Sequence, residues 1–474
     1  MATLLLLLPD AITKMLPADP IPLVLLCTLA ALCLIALARR IPSTSTPAPA
    51  PASYEERKAQ EAGEDTDGAW TPVAFDYPRV EPCPTDPLTL KPIPYRPFKW
   101  GEYRVSMGLH PMAFEDWFEL DETFVEYYRI REARLRAHGH RLVQVCEASP
   151  GRVDGGHEAA KELVYEMAEY LSRRYPSVYT VRRREKGADG WYGEPMIEEI
   201  TVVPVERTFR IESEEPMMLA GLLAVDDLTI MIKDTDDVYY LQAGVVAIPG
   251  MWRLQDKIGM NLDDIHLSGT VPEYKSKLQS PMNRFFARLT LDKPVARTNY
   301  SFQVLPPPPS PSVDPTDPKE LAWAYTMKGP EEDEQNRPGY LRAGEDVEGS
   351  APPQVARDTE PGNASPTALS LLSSSSSTPL DPSRVLMRVE RESLRRLPRT
   401  GAVVFGIRTY QTPVERLARE VGGPGRLASA VRGWGADVAR YKARPAFESI
   451  LGYLDAKHAE QVAAGLVPAS PAEP

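Results

Sequence analysis

From Pro306 to Ser383 the sequence loses the patterning of a folded protein, and this interruption constrains the chain more than any other feature. The stretch opens PPPPSPS, closes SSSSSTPLDPS, and is rich in Pro, Ser and acidic residues with few aliphatics. Such a composition cannot bury enough apolar surface to offset the entropy of ordering. Because patterned sequence resumes at Arg384, residues 306–383 read as a disordered insertion within one domain. A second stretch of this kind, Pro42–Ser53 (PSTSTPAPAPAS), continues into the acidic Glu55–Asp67 and reads as an extended spacer within a linker over residues 41–94. These two blocks hold most of the excess among 48 prolines in 474 residues. What remains, residues 95–305 and 384–460, amounts to roughly 290 residues, near the upper limit for a single core. Residues 461–474 read as a flexible tail, and no internal repeat is visible.

Ahead of the spacer lies an uncharged run, Ile21–Ala38 (IPLVLLCTLAALCLIALA). As a helix it would be roughly 27 Å long, enough to span a hydrocarbon core. Arg39 and Arg40 follow at once, whereas the upstream residues 1–20 offer only Lys14 against Asp10 and Asp19. The positive-inside bias then predicts a single-pass transmembrane helix over 21–40, a short tail across the membrane and a cytosolic C-terminal domain, with the endoplasmic reticulum as one candidate membrane. A cleaved signal peptide is the rival, since Ala36-Leu37-Ala38 resembles a cleavage site, but the basic residues follow the run rather than precede it. In the proposed orientation the sequons at Asn299 and Asn363 carry no glycan.

The net charge of −12 repels phosphate backbones and argues against a nucleic-acid role. Four cysteines without a CxxC pair suit a reducing compartment and exclude a cysteine-ligated iron–sulfur cluster in this chain. The patterning is α+β. Gly156–Arg174 has apolar residues at helical spacing. Leu142–Glu147, Glu199–Ile211, Leu228–Ile232 and Val238–Ile248 read as strands. After the insertion, Val385–Arg391 and Ala402–Tyr410 read as strands around a helix-like Glu392–Leu397, and Val438–His458 as a terminal helix.

Among six histidines, His266 stands out, in DDIHLSGTVPEYKSKLQSPMNRFF (Asp263–Phe286). Ile265 and Leu267 could exclude water from it, and Asp263 and Asp264 lie within reach in sequence to orient the ring, as metal-bound imidazoles require. It is the candidate centre of a metal or haem pocket; the bland reading is a core or turn-capping histidine. His110 precedes a proline and suits a turn. His138 and His140 lack further ligands, and His157 and His458 lie in helices without partners. No Walker loop, dinucleotide fingerprint, Ser–His–Asp pattern or zinc-protease motif occurs, so no flavin or nicotinamide site is visible.

Three stretches, Pro97–Asp121 (PFKWGEYRVSMGLHPMAFEDWFELD), IHLSGTVPEYKSKLQSPMNRFF and Arg388–Tyr410 (RVERESLRRLPRTGAVVFGIRTY), resemble the haem-dependent oxidative N-demethylase-like family. The resemblance covers most of Tyr95–Leu305 and Arg384–Lys442. It implies a haem b protein on a PAS-like sheet with flanking helices. It also implies oxidation of a small amine with release of formaldehyde, and electrons from a separate flavin/iron–sulfur module. On this resemblance His266, in the family's Ile-His…Val-Pro-x-Tyr pattern, is the axial iron ligand. Ser268-Gly269-Thr270 makes the link to Val271-Pro272 longer than in many relatives, and Tyr300 stands where Trp is usual.

Haem propionates need charge-assisted partners, and arginine offers planar bidentate contacts. Arg395 and Arg396, in a segment crowded with arginines, are the candidates, with Arg284 beside Phe285-Phe286 as another; the alternative for the segment is a salt-bridged strand pair. The resulting expectation is a membrane-anchored haem oxidoreductase acting on a small molecule, supplied by an external electron donor or peroxide. A non-catalytic haem sensor or carrier, and a haem-free interaction protein, are the alternatives. No catalytic residue is assigned.

Overall fold

A computed structural model describes residues 70–185, 194–248, 250, 252–304 and 379–468. The apolar run Ile21–Ala38, the Pro/Ala/Ser spacer and nearly all of the block 306–383 lie outside the described residues. Among the described residues no helix is long and apolar enough to cross a membrane.

The fold is α+β, with one seven-stranded antiparallel sheet and a smaller three-stranded one. Its elements in chain order are β1 (His110–Pro111), α1 (Phe124–Leu142), β2 (Val143–Val145), α2 (His157–Arg174), the small sheet's β3 (Tyr179–Arg183), β4 (Ile197–Val202) and β5 (Arg207–Arg210), α3 (Pro216–Leu223), β6 (Asp227–Lys233) and β7 (Tyr239–Val245). There follow α4 (Leu262–Ser268), α5 (Gln279–Arg288), β8 (Val295–Val304), β9 (Val385–Arg396), β10 (Val403–Pro413), α6 (Val414–Arg419), α7 (Gly423–Arg432), α8 (Ala436–Tyr441) and α9 (Glu448–Ala463). The large sheet runs β1-β8-β9-β10-β6-β7-β2. β8 and β9 flank the long low-complexity block, yet they pair residue for residue, from Val295↔Leu394 to Val304↔Val385.

Strand alternation divides the large sheet into two faces. The first carries Ala296, Leu228, Ile230 and Val404, which pack with Leu163 and Met167 of α2. At its other end Phe302, Val385 and Met387 meet Leu427, Ile450 and Leu454 of the C-terminal helices. The second face carries Met231, Leu394 and Val403, covered by Leu262 of α4 and Phe286 of α5.

Three elements differ from their sequence expectation. Glu392–Leu397 is not helical: β9 continues to Arg396. Its residues are good helix formers, but tertiary pairing on both sides outweighs a propensity worth tenths of a kcal/mol per residue. The run Glu199–Ile211 is broken at Val203-Pro204-Val205, with Glu206 left-handed at φ 53°, giving the β4–β5 hairpin. The expected terminal helix is two, α8 and α9, parted at Ala443 (φ 52°) and Pro445, and α9 extends to Ala463. Residues 70–94, expected as linker, lie against the domain. Trp70 donates through Nε1 to the Pro398 carbonyl, Tyr77 donates to Glu166 at 2.5 Å, and Val80 is buried. The Trp70 indole packs on the bare Cα of Gly401, which at φ 67° makes the turn between β9 and β10.

Candidate functional site

α4 is only two turns long. It starts at Asn261, whose side-chain oxygen accepts the Asp264 amide proton at 2.8 Å. Leu262 points into the core, and His266, one turn later on the same side, is half-buried. The His266 Nδ1 lies 2.7 Å from the Leu262 carbonyl. A carbonyl only accepts, so that contact assigns the proton to Nδ1 and leaves Nε2 with its lone pair. Among the described residues Nε2 has no hydrogen-bond partner. Burial holds the imidazole pKa below its usual value, and the cations of Arg297 and Lys257 push it the same way, against the Leu262 hydrogen bond and Asp263.

The ring is therefore oriented by a carbonyl and not, as the sequence suggested, by Asp263 or Asp264. Asp263 accepts instead from Tyr274 Oη at 2.7 Å, Gln279 Nε2 at 2.7 Å and Asn283 Nδ2 at 3.2 Å. The Tyr274 ring lies over His266, with centroids 4.8 Å apart and planes within 5°.

The second face, on which Ile265 packs and whose Arg297 acts electrostatically on the His266 ring, has two halves. One half is apolar: Val295 and Phe405 of the sheet, with Trp252, Ile265, Met282 and Phe285 above them, are only partly covered. The other half is charged. Arg297 and Asn299 of β8 pair across to Glu392 and Glu390 of β9. Arg297 donates to Glu392 at 3.0 Å, Arg388 donates to Glu390 at 2.8 Å, and Asn299 reaches Glu390 at 3.4 Å. Lys442, just past α8, donates to the Asn299 side chain at 2.9 Å and the Tyr300 carbonyl at 2.7 Å. Burial pushes the Glu392 carboxyl up to about 7, with Arg297 opposing, and pulls the Lys442 ammonium down to about 8. Arg297 Nε and Arg388 Nη1 are buried donors without a hydrogen-bond partner. A carboxylate-bearing ligand would satisfy them.

The arginine candidates separate. Arg395 faces the first side of the sheet, 1% exposed, with its guanidinium 2.5 Å from Glu166 and over the rings of Trp117 and Phe114. Arg396, its neighbour, faces the second side. There it donates to the carbonyls of Phe286, Leu289 and Gly401 and to Tyr239 Oη, tying down the end of α5. Arg284 is exposed on α5, next to the Asn283 that binds Asp263. The structure thus gathers His266 and Arg297, places Arg284 on the adjoining helix, and sets Arg395 on the opposite face.

Of the other histidines, His110 is exposed on β1, and His138 sits at a kink in α1. His458 lies edge-on to Trp100. Tyr300 is buried on the first face and accepts a hydrogen bond from Trp434 Nε1 at 3.2 Å, so an indole still stands beside it. Among the described residues no three His, Cys, Asp or Glu side chains converge as a metal site. One neutral histidine is what a porphyrin iron asks of a protein, since the macrocycle supplies the remaining nitrogens.

Sequence reasoning missed Arg297, Glu392 and Lys442 as a group. The signal for the first two was a polar alternation, Arg297-x-Asn299-x-Ser301 and Glu390-x-Glu392, inside strands otherwise apolar; Lys442 had none. Residues 108–347 and 350–451 match the family model described as haem-dependent oxidative N-demethylase, alpha subunit-like.

Proposed function

The chain belongs to the haem-dependent oxidative N-demethylase alpha subunit-like family, and on that premise we propose that it is a haem b oxidoreductase whose axial ligand is His266. The observation that carries the reading is His266 itself: a half-buried imidazole kept neutral, with Nδ1 held by a carbonyl and Nε2 unpartnered. Deprotonated, oriented imidazole is the form that binds iron. Bound haem would supply the oxygen-activating chemistry for removing a methyl group from a small amine as formaldehyde.

The residues of this chain do the rest. Trp252, Ile265, Phe285 and Phe405 offer apolar surface to a macrocycle and exclude water from its face. Arg297, partly exposed on the face that α4 covers, and Arg284 on α5 would take the propionates, in preference to Arg395, ion-paired with Glu166 on the opposite face, and Arg396, hydrogen-bonded to three carbonyls and Tyr239. Glu392, which titrates near neutrality, can hold or release a proton beside Arg297. With oxygen, two electrons would come from an external reductase; peroxide would replace oxygen and those electrons together. The antiparallel sheet serves as a PAS-like platform, and the run Ile21–Ala38 anchors the protein to a membrane with this domain in the cytosol.

The test is spectroscopic. Full-length protein in detergent, titrated with haemin, is expected to develop a Soret band that His266→Ala abolishes. Protein that stays colourless ends the haem reading. Reductant-dependent formaldehyde release with secondary and tertiary amines then separates an enzyme from a sensor or carrier, which would bind haem and release none.

A further inference from the structure

The turn after α4 opens as a helix C-cap, the Val271 and Thr270 amides donating to the His266 and Leu267 carbonyls, and then departs from ordinary helix-end geometry. Two non-glycine residues within four, Thr270 (φ 53°) and Glu273 (φ 57°), adopt the left-handed conformation. Each costs on the order of 1 kcal/mol and persists only where its surroundings enforce it. A five-residue π-helical turn, Tyr274–Leu278, follows directly. Such turns are rare and often mark functional sites.

The strained path has one clear geometric result. Had α4 simply continued, His266 and Tyr274 would stand roughly 12 Å apart along the axis. Instead the chain doubles back and lays the Tyr274 ring parallel on the imidazole, centroids 4.8 Å apart. Asp263 secures the arrangement. Its two oxygens accept from Tyr274 in the π-turn and from Gln279 and Asn283 in α5, so one carboxylate of α4 fastens both following elements. Burial works against its charge, but those three hydrogen bonds outweigh it and hold its pKa below the ordinary value. Stacking covers a ring face, and the lone pair of Nε2, which lies in the ring plane, is not what Tyr274 covers.

We infer that Asp263 and Tyr274 are a positioning pair for His266, Tyr274 fixing the imidazole plane by stacking and Asp263 fixing Tyr274; as a statement about iron ligation this rests on the haem reading above. The Leu262 carbonyl sets which nitrogen carries the proton, and the stacked tyrosine stops the ring from turning about that hydrogen bond. Groups of this kind around a ligating histidine are typically worth about 10–100-fold in metal affinity.

The experiment follows the full-length protein in two states. In the haem-free state, histidine ring NMR reads the pKa and line width of His266, assigned by its loss in His266→Gln. In the second, haemin titration reads affinity. Tyr274→Leu is expected to move the His266 pKa up toward that of a free histidine, to broaden its ring resonances, and to weaken haem binding about 10–100-fold. Tyr274→Phe keeps the stack and loses the anchor, so it should broaden the resonances with a smaller loss of affinity. Asp263→Asn, whose side-chain oxygen can still accept from Tyr274 although its amide cannot accept from Gln279, should keep most of both. A folded Tyr274→Leu with unchanged His266 pKa and line width overturns the inference. Should that variant not fold, unchanged line width in Tyr274→Phe does the same. A wild-type protein that binds no haemin, while Tyr274→Leu still frees the His266 ring, sinks the haem reading and leaves the positioning pair standing.

Discussion

The two faces of the large sheet both bury charge at its centre, and they do so differently. On the first, Arg391, Arg395 and Arg408 pair with Glu119, Glu166 and Asp121, the last two cations lying against aromatic rings, with exposures of a few per cent at most for all three. On the second, Arg297 and Glu390 keep 31% and 17% of their side-chain surface exposed, against 3% and 7% for Arg388 and Glu392, and the Arg297 cation is near enough to lower the pKa of the His266 imidazole. The chemical groups are the same, the arginines drawn from β9 and the strands on either side of it. Buried guanidinium nitrogens without a hydrogen-bond partner occur on both faces, so the exposure of Arg297 and the neutral imidazole beyond it distinguish the face that can receive a ligand from the one that serves cohesion.

That contrast can be broken at its strongest point first. Arg395→Ala leaves Glu166 buried without its cation and should lower unfolding free energy by about 3–5 kcal/mol. Haem affinity of the folded protein should not change; a denaturant midpoint close to wild type, or a selective loss of haem affinity, would move Arg395 from one class to the other. Arg297→Ala is expected to do the reverse. Its stability cost is about 1 kcal/mol for a partly exposed pair, while haem affinity falls about tenfold through one lost charge-assisted contact. Equal affinity in titrations of the two proteins would remove Arg297 from the site.

The smallest effect is one of slope. The Glu392 carboxyl, raised to about 7 in the fold from about 4.5, keeps a proton over that interval that the unfolded chain has released. Its stabilising contribution is complete below about pH 4.5 and is lost as pH rises through about 7. Glu392→Gln should therefore flatten the decline in unfolding free energy between pH 5 and pH 8 without abolishing it. Glu166 and Asp226, raised by burial to about 7 and about 6, contribute in the same sense and remain. An identical pH dependence in urea titrations would show that Glu392 titrates normally.

What was legible in the sequence follows the same division. α2, β6 and β7 announce themselves because burial on one or both faces leaves a periodic apolar record. His266 was legible as a lone polar residue set between aliphatics in a recognisable motif. β9 was legible only over Val385–Arg391; from Glu392 on, a strand that alternates charge with charge resembles a helix of good helix formers. The partner of His266 Nδ1 was missed for a local reason: a carbonyl one turn back is invisible in the sequence, whereas two aspartates nearby are conspicuous. Lys442 reaches Asn299 only because α8 folds back on β8, a contact across 143 positions that no local pattern records.

The register of β8 against β9 has one more consequence. Val304 and Val385 are direct partners, so the chain leaves the sheet and re-enters it about 5 Å away. The intervening segment joins two points that the sheet already holds together, and its length enters stability only logarithmically. Relatives can therefore lengthen, shorten or rewrite it while every strand, and the floor beneath His266, keeps its place. Evolution has at this position a margin on which new text can be written without disturbing the page.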